Sequence, residues 1–243
     1  TSGGSEADNQ AIVSAARIGA RKGKKHIIST VFEHHAVLHT LDKLKNEGFE
    51  ITLVDVYREG IVRPEDIKKA IREDTALVTI MTANNEVGTV QPIAEIGKLC
   101  KEKGVMFHTD AVQAVGHIPV NVNDFNCDLL SASAHKFHGP KGVGVLYCRK
   151  GTKLTSLING GAQERGKRAG TEYTYGIVGM TAALKEAVKN IDKFNLGNRI
   201  NIILDDALNT EIDGEFDLIF IDASKGNNIN FFKKYSANLS KYG

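Results

Sequence analysis

The sequence predicts an α/β fold with a mostly parallel sheet covered by helices on both faces. Three observations carry this expectation. Strand-type segments alternate with helix-type segments along most of the 243 residues. The runs "KHIIST", "TALVTIM" and "VGVLYC" are short and largely apolar, as strands of a covered sheet are. Polar sets then follow the strands, at 33–35, 83–86, 109–113 and 132–136. In open α/β sheets ligands bind outside the carboxyl ends of the strands, so the four sets would meet at one mouth.

In chain order, residues 5–23 read as a helix, with Ser5 as cap, Glu6 and Asp8 in the first turn and Gly23 as terminator. "KHIIST" is a strand. Residues 34–48 form an amphipathic helix that Gly48 ends. "FEITLVDV" alternates and reads as a strand. Pro64 opens a helix over 64–74. "TALVTIM" is a buried strand, "PIAEIGKLCKEKG" a helix, and "VMFHTD" a strand ending in polar residues. "CDLLSASA" and "VGVLYC" are two more strands, and residues 176–191 a helix. The pattern changes near residue 194. A tail over 195–243 has apolar runs in "INIIL" and "EFDLIFIDASKG" and a last helix from residue 228.

Composition narrows the function. Apolar residues make up 42%, enough for a sizeable core, and the net charge of +2 gives no general case for nucleic acid. The three cysteines, Cys100, Cys127 and Cys148, are widely spaced and form no C-x-x-C. They suggest a reducing, cytoplasmic setting without a disulfide framework. No apolar run reaches the roughly 20 residues of a membrane span, and no signal peptide is visible.

Lys136 stands between His135 and Phe137 in "SASAHKFHGPKGVGVLY", just after a strand. Alone, such a lysine is a solvated residue. An amine becomes a carbonyl nucleophile when desolvation or nearby positive charge keeps part of it neutral. If the aldehyde is pyridoxal phosphate (PLP), the site also needs a carboxylate for the ring nitrogen, phosphate donors at a helix start and a flat stacking group. Asp110, at a strand end, can meet the ring nitrogen, and Gln113 the ring oxygen. Gly4 and Ser5 open the first helix as a phosphate cradle, joined by Ser133 and His135. His34 can stack on the ring, and Asn84 can bind the cofactor's oxygen or the substrate.

Other motifs have plainer readings. His35 and His39 are spaced i, i+4 like a metal pair, but no third ligand follows at sensible spacing, and no metal is expected. "GAQERGKR" (161–168) nearly matches a phosphate-binding G-x-x-x-x-G-K-[ST] loop. Arg168 stands where the hydroxyl belongs and no strand leads in, so only an Arg-rich anion site is expected there.

Taken together, "TSGGSEADN", "EHHAVL", "MTANNEVGTVQPI", "FHTDAVQAVG", "SASAHKFHGPKGVGVLY" and "GGAQERGKRAGTE" resemble, in this order, the cysteine desulfurases of the class V aminotransferase superfamily. The resemblance covers residues 1–194. It implies the large domain of PLP-dependent transferase fold type I, a homodimer, and sulfur removal from L-cysteine. The products would be L-alanine and an enzyme persulfide for iron–sulfur cluster or thio-cofactor synthesis, handed to a sulfur-acceptor or scaffold protein. By the same resemblance Lys136 binds the cofactor covalently, Asp110 and Gln113 hold its ring, and His34 stacks on it. Gly4, Ser5, Ser133 and His135 bind its phosphate, Thr171 reaches the partner subunit's phosphate, and Asn84 lies near cofactor and substrate.

Two departures qualify this. The family's residues before "TSGG" are not in this chain. Nor is the C-terminal domain, with its nucleophilic cysteine loop and carboxylate-gripping arginine. None of the three cysteines lies in a Ser/Gly-rich loop, so none is assigned as persulfide carrier. A truncated large domain is therefore expected to bind PLP more readily than to turn over. The tail, 195–243, resembles part of a bacterial S-adenosylmethionine-dependent O-methyltransferase, a partial Rossmann-like α/β unit in which Asp222 matches a metal-binding position. That family's glycine-rich loop is absent upstream, so no methyl transfer is expected. The rival readings are a catalytically inactive PLP-binding chimera, a methyltransferase, and a PLP lyase acting on selenocysteine or another β-substituted amino acid.

Overall fold

The computed structural model describes residues 1–194 and 228–240. The chain divides into two units, Thr1–Arg199 and Ile200–Gly243. The first holds a six-stranded sheet in the order β2-β1-β3-β4-β5-β6. Its strands are β1 (His26–Thr30), β2 (Glu50–Val54), β3 (Thr75–Thr79), β4 (Met106–Asp110), β5 (Leu129–Ser133) and β6 (Gly144–Cys148). All pairs are parallel except β5–β6, which is antiparallel. The helices are α1 (Gly4–Ala20), α2 (His35–Asn46), α3 (Pro64–Ala70), α4 (Ile93–Lys103), the single turn α5 (Gln163–Gly166) and α6 (Thr174–Phe194). In the second unit, α7 (Asn228–Tyr235) and a 3-10 turn, Ser236–Asn238, are described. The tail residues 195–227, including Asp222, lie outside the described residues.

Successive residues of a strand point to opposite faces, and this splits the core in two. Ile27 and Leu77 face α1 and α2, with Ile12, Val37, Leu41 and Leu44. Ile28 and Val78 face α3 and α4, with Ile67, Ile96, Cys100 and Phe107. The central strands β1, β3 and β5 are buried along their whole length. β2 is an edge strand with Leu53 exposed, so the alternation read in "FEITLVDV" reflects one covered face less fully than expected. Helix packing is close where small residues allow it. A Cβ on Gly97 would stand 1.9 Å from the Phe125 carbonyl oxygen, so α4 can lie against the loop before β5 only with glycine there.

Two local expectations are corrected. Helix α1 begins at Gly4, not after Ser5. Its cap is Gly3, at φ 154°, and no side chain caps it. Asp8 lies past the first turn, which holds Glu6 as its acid, and is 1% exposed, because α1 lies across the sheet and turns this position inward. Pro64 opens α3, and Gly104 closes α4 in the left-handed conformation.

Candidate active site

The connection from β1 to β2 runs one way across the sheet and that from β2 to β3 runs back past β1. Such reversals open a crevice at the strand ends. A cavity of about 260 Å³ lies at this end of the sheet. Gly4, Ser5, His34, Asp110, Gln113, Ser133, His135 and Lys136 all line it. Residues up to 132 apart in sequence (136 − 4) are thus gathered by the strand order rather than by any local motif.

Lys136 sits in a 3-10 turn, Ala134–Phe137, that leaves β5 directly. The turn is pinned on both sides. The Ala134 N–H donates to the Val143 carbonyl at 3.1 Å, and the Gly139 N–H to the Ala134 carbonyl at 2.8 Å. Phe137 is buried with Val143 and Met180. The half-buried Lys136 is therefore presented by a fixed backbone. Ser133 and His135 are joined through Oγ and Nδ1 at 2.9 Å. His34 caps α2: its Nδ1 accepts the Ala36 N–H at 3.1 Å, which sets the ring's orientation.

Asp110 ends β4 at 4% exposure, and its Oδ1 accepts the Val112 N–H at 2.9 Å. Burial raises its carboxyl above the ordinary range, against the pull of that hydrogen bond and of the His34 and Lys136 charges. Beside it, burial and the Asp110 charge push the Asp8 carboxyl well up, while the Ser131 hydroxyl pulls it back in part. Asp8 lines the same cavity, and its buried Oδ1 has no hydrogen-bond partner. Burial drives His108 down to about 3, so its ring is neutral. Nδ1 meets the Thr79 hydroxyl at 2.8 Å and Nε2 the Ser131 hydroxyl at 2.9 Å.

Asp8 was missed as a functional candidate. Its signal is a carboxylate in the otherwise apolar or small stripe Gly4, Asp8, Ile12, Ala15 of α1. Asn84 does not line the cavity. Its amide donates to the Phe32 carbonyl at 2.9 Å and its Oδ1 accepts the Glu86 and Val87 N–H groups, so it holds the loop, and Asn85 lines the cavity beside it. Thr171 lines a different cavity, of about 330 Å³, with Thr1, Ser2, Arg168 and Tyr173.

At the expected anion site over 161–168, one arginine already has a partner. Arg168 is committed to Glu6, with Nε 2.9 Å from Oε1 and Nη2 3.2 Å from Oε2. Burial alone would raise Glu6, but hydrogen bonds from Arg168 and Ser2 hold it at about 2. Among the described residues no group of three His, Cys, Asp or Glu is placed to hold a metal, and the His35 and His39 rings stand 5.1 Å apart on the exposed face of α2. Burial pushes the Cys100 thiol up to about 12 and Cys127 to about 11, and also raises Cys148, so all three resist forming thiolates.

The family model for aminotransferase class-V matches residues 1–214. The chain belongs to this family. The match runs past Phe194, where the sequence pattern changes. A cysteine desulfurase IscS of Clostridium botulinum is 58% identical over 195 residues, covering 80% of this chain and 49% of that protein. A cysteine desulfurase IscS of Histophilus somni is 43% identical over 242 residues, 97% of this chain and 58% of that one. Among solved structures, a NifS-like protein superposes with a TM-score of 0.77 at 45% identity, over 79% of this chain and 53% of that one. A structure described as SspA in complex with cysteine gives 0.74 at 40% identity, over 79% and 59%. The chain spans about half the length of the curated relatives it matches. The mostly parallel sheet and flanking helices of this class-V member are those expected of the fold type I large domain. No described helix is long and apolar enough to cross a membrane.

Proposed function

We propose that this class-V chain is the cofactor-binding core of a PLP-dependent cysteine desulfurase, which takes sulfur from L-cysteine, leaves L-alanine and carries the sulfur as a persulfide. The observation that supports this best is the cavity that collects Lys136, Asp110, Gln113, His34, Gly4, Ser5, Ser133 and His135.

These residues fit PLP. An aldehyde takes an amine, and Lys136 offers one from a fixed turn. A ring N–H in a dry site needs an acceptor, and the Asp110 carboxylate is 4% exposed, beside a second acid whose Oδ1 has no partner. A phosphate suits the first turn of α1, whose leading N–H groups have no partner within the helix, with Ser5 and Ser133 as further donors. When bound, the cofactor supplies an electron-poor ring that draws charge from the substrate's α-carbon. Lys136 would bind the aldehyde carbon and later move protons through Nζ. Asp110 would hold the proton on the ring nitrogen, Gln113 would donate to the ring oxygen, and His34 would lie on the ring face and keep water off it. Asn85 is a better candidate than Asn84 for a polar contact from the 83–86 loop.

By the same reading, the chain works as a homodimer with Thr171 serving the partner subunit's phosphate. It delivers sulfur to an acceptor or iron–sulfur scaffold protein in a cytoplasmic, reducing setting. The persulfide cysteine is not among Cys100, Cys127 and Cys148. From the O-methyltransferase-like tail, 195–243, no methyl transfer is expected, and an assay with S-adenosylmethionine as methyl donor checks this.

The test is an absorption spectrum of the purified chain with PLP, beside Lys136→Ala. A visible band that needs Lys136 supports the reading, and its absence from a folded sample overturns it. Alanine release from L-cysteine then separates a desulfurase from an inactive PLP-binding protein.

A further inference from the structure

Asp8 is a buried carboxylate that the proposed chemistry does not use. It is 1% exposed, it lines the cavity with Asp110 and Lys136, and its Oδ1 has no hydrogen-bond partner. Leaving a buried carboxylate oxygen unpaired is costly unless that oxygen carries a proton or faces a cation. The groups around it do not supply a cation. His108 Nε2 on β4 is 3.7 Å from Oδ1, but that ring is neutral and meets Ser131 and Thr79. The other charged neighbours are acids, Asp110 on β4 and Glu33 after β1. His34 and Lys136 act on Asp110.

Two buried carboxyl groups that line one cavity oppose each other's ionisation. We infer that Asp8 is a positioning residue that keeps its own proton, leaving Asp110 as the ionised member that faces the cofactor's ring nitrogen. This rests on the PLP reading above, and it adds a reason for the acid on α1. The pair carries one negative charge in total, so a ring N–H⁺ against Asp110 neutralises the site without bringing a second buried anion with it. Asp8 touches neither substrate nor reacting atoms in this role, and acts through Asp110.

The proton is directly observable. In the chain without PLP, the carboxyl carbons of ¹³C-labelled aspartates are followed by NMR against pH, in wild type, Asp8→Asn and Asp110→Asn. The wild type is expected to show one aspartate still protonated well above the ordinary range. In Asp8→Asn, which copies the protonated acid, the Asp110 midpoint stays where it is in wild type. In Asp110→Asn the Asp8 midpoint drops by about one pH unit or more, since the anion that opposed its ionisation is gone. An Asp8 midpoint that is the same in wild type and Asp110→Asn overturns the inference, and so does an Asp110 midpoint that drops in Asp8→Asn. Circular dichroism checks that each variant is folded, and because the two substitutions are reciprocal, one folded variant suffices for the test.

The second arm adds PLP and follows the Lys136-dependent band against pH. Asp8→Asn is expected to shift the pH midpoint of that band while changing PLP affinity at neutral pH by less than about threefold, and Asp110→Asn to weaken affinity about tenfold or more, the equivalent of one pH unit. A band whose pH midpoint does not move in Asp8→Asn overturns the role toward the ring. If the wild type gives no band while the aspartates still titrate as a pair, the PLP reading fails and so does the ring-facing role.

Discussion

Glu33 is the most informative single residue outside the cavity. It is 5% exposed, its Oε1 accepts the Thr30 hydroxyl and the Met81 N–H, and its Oε2 has no partner. Burial raises its carboxyl to about 8, so the folded protein holds a proton at Glu33 that the unfolded chain gives up above about 4.5. The folded state then binds more protons than the unfolded one across that window, and stability falls as pH rises through it. Glu33→Gln copies the protonated form. Its melting temperature should match wild type near pH 4.5 and exceed it increasingly toward pH 8. A thermal scan at several pH values decides this, and equal slopes in the two proteins would reject it. Glu6 has the opposite sign. Its carboxyl is held at about 2 by Arg168, so its contribution is present above about 4.5 and fades as pH falls toward 2. Arg168→Ala should lose stability at neutral pH and converge on wild type in acid. The sequence made Lys136, Asp110 and Gln113 legible because they follow strands, where side chains must meet a shared mouth. It hid Asp8, Glu33 and the Glu6–Arg168 pair. Their roles come from burial and from partners up to 162 residues away, which no local spacing encodes.

The elements were legible in proportion to how far local chemistry decides them. Pro64 and Gly104 mark helix ends by backbone sterics alone, and α3 and α4 begin and end where those residues require. The start of α1 was misplaced by two residues because Ser5 looks like a cap. The chain instead uses Gly3 and turns Ser5 toward the cavity. Single substitutions report on how closely elements approach. Gly97→Ala puts a methyl group 1.9 Å from a backbone oxygen that has no rotamer to escape into. We expect it to cost about 1–3 kcal/mol or more in urea unfolding, as overpacking does. Gly142, with open space around its Cβ position, is a control for bulk, although its φ of 79° brings a backbone cost of its own.

Across the whole molecule, the sheet separates two apolar clusters that share no side chain. Leu41 lies in one and Ile96 in the other. Each change to alanine should cost about 2–5 kcal/mol. Because the sites lie on opposite faces, the two costs should add to within about 0.5 kcal/mol in the double variant. Marked non-additivity would mean that the sheet transmits strain between its faces. The order of helices and strands was readable over 1–194, but which strand lies beside which was not, since periodicity carries no information about neighbours.

That order also has a consequence in time. From β4 onward each strand joins the one before it, so the sheet can grow as the chain is made or refolds. The last strand, β6, closes the far edge, and the Gly144 N–H reaches back to the Thr1 carbonyl at 2.9 Å across 143 residues. Lys136 lies in the link between β5 and β6. The amine therefore takes up its final place only with a closure that joins the sixth strand to the start of the domain. In refolding from denaturant, helical circular dichroism should return first, and the ability to take up colour with PLP should return later.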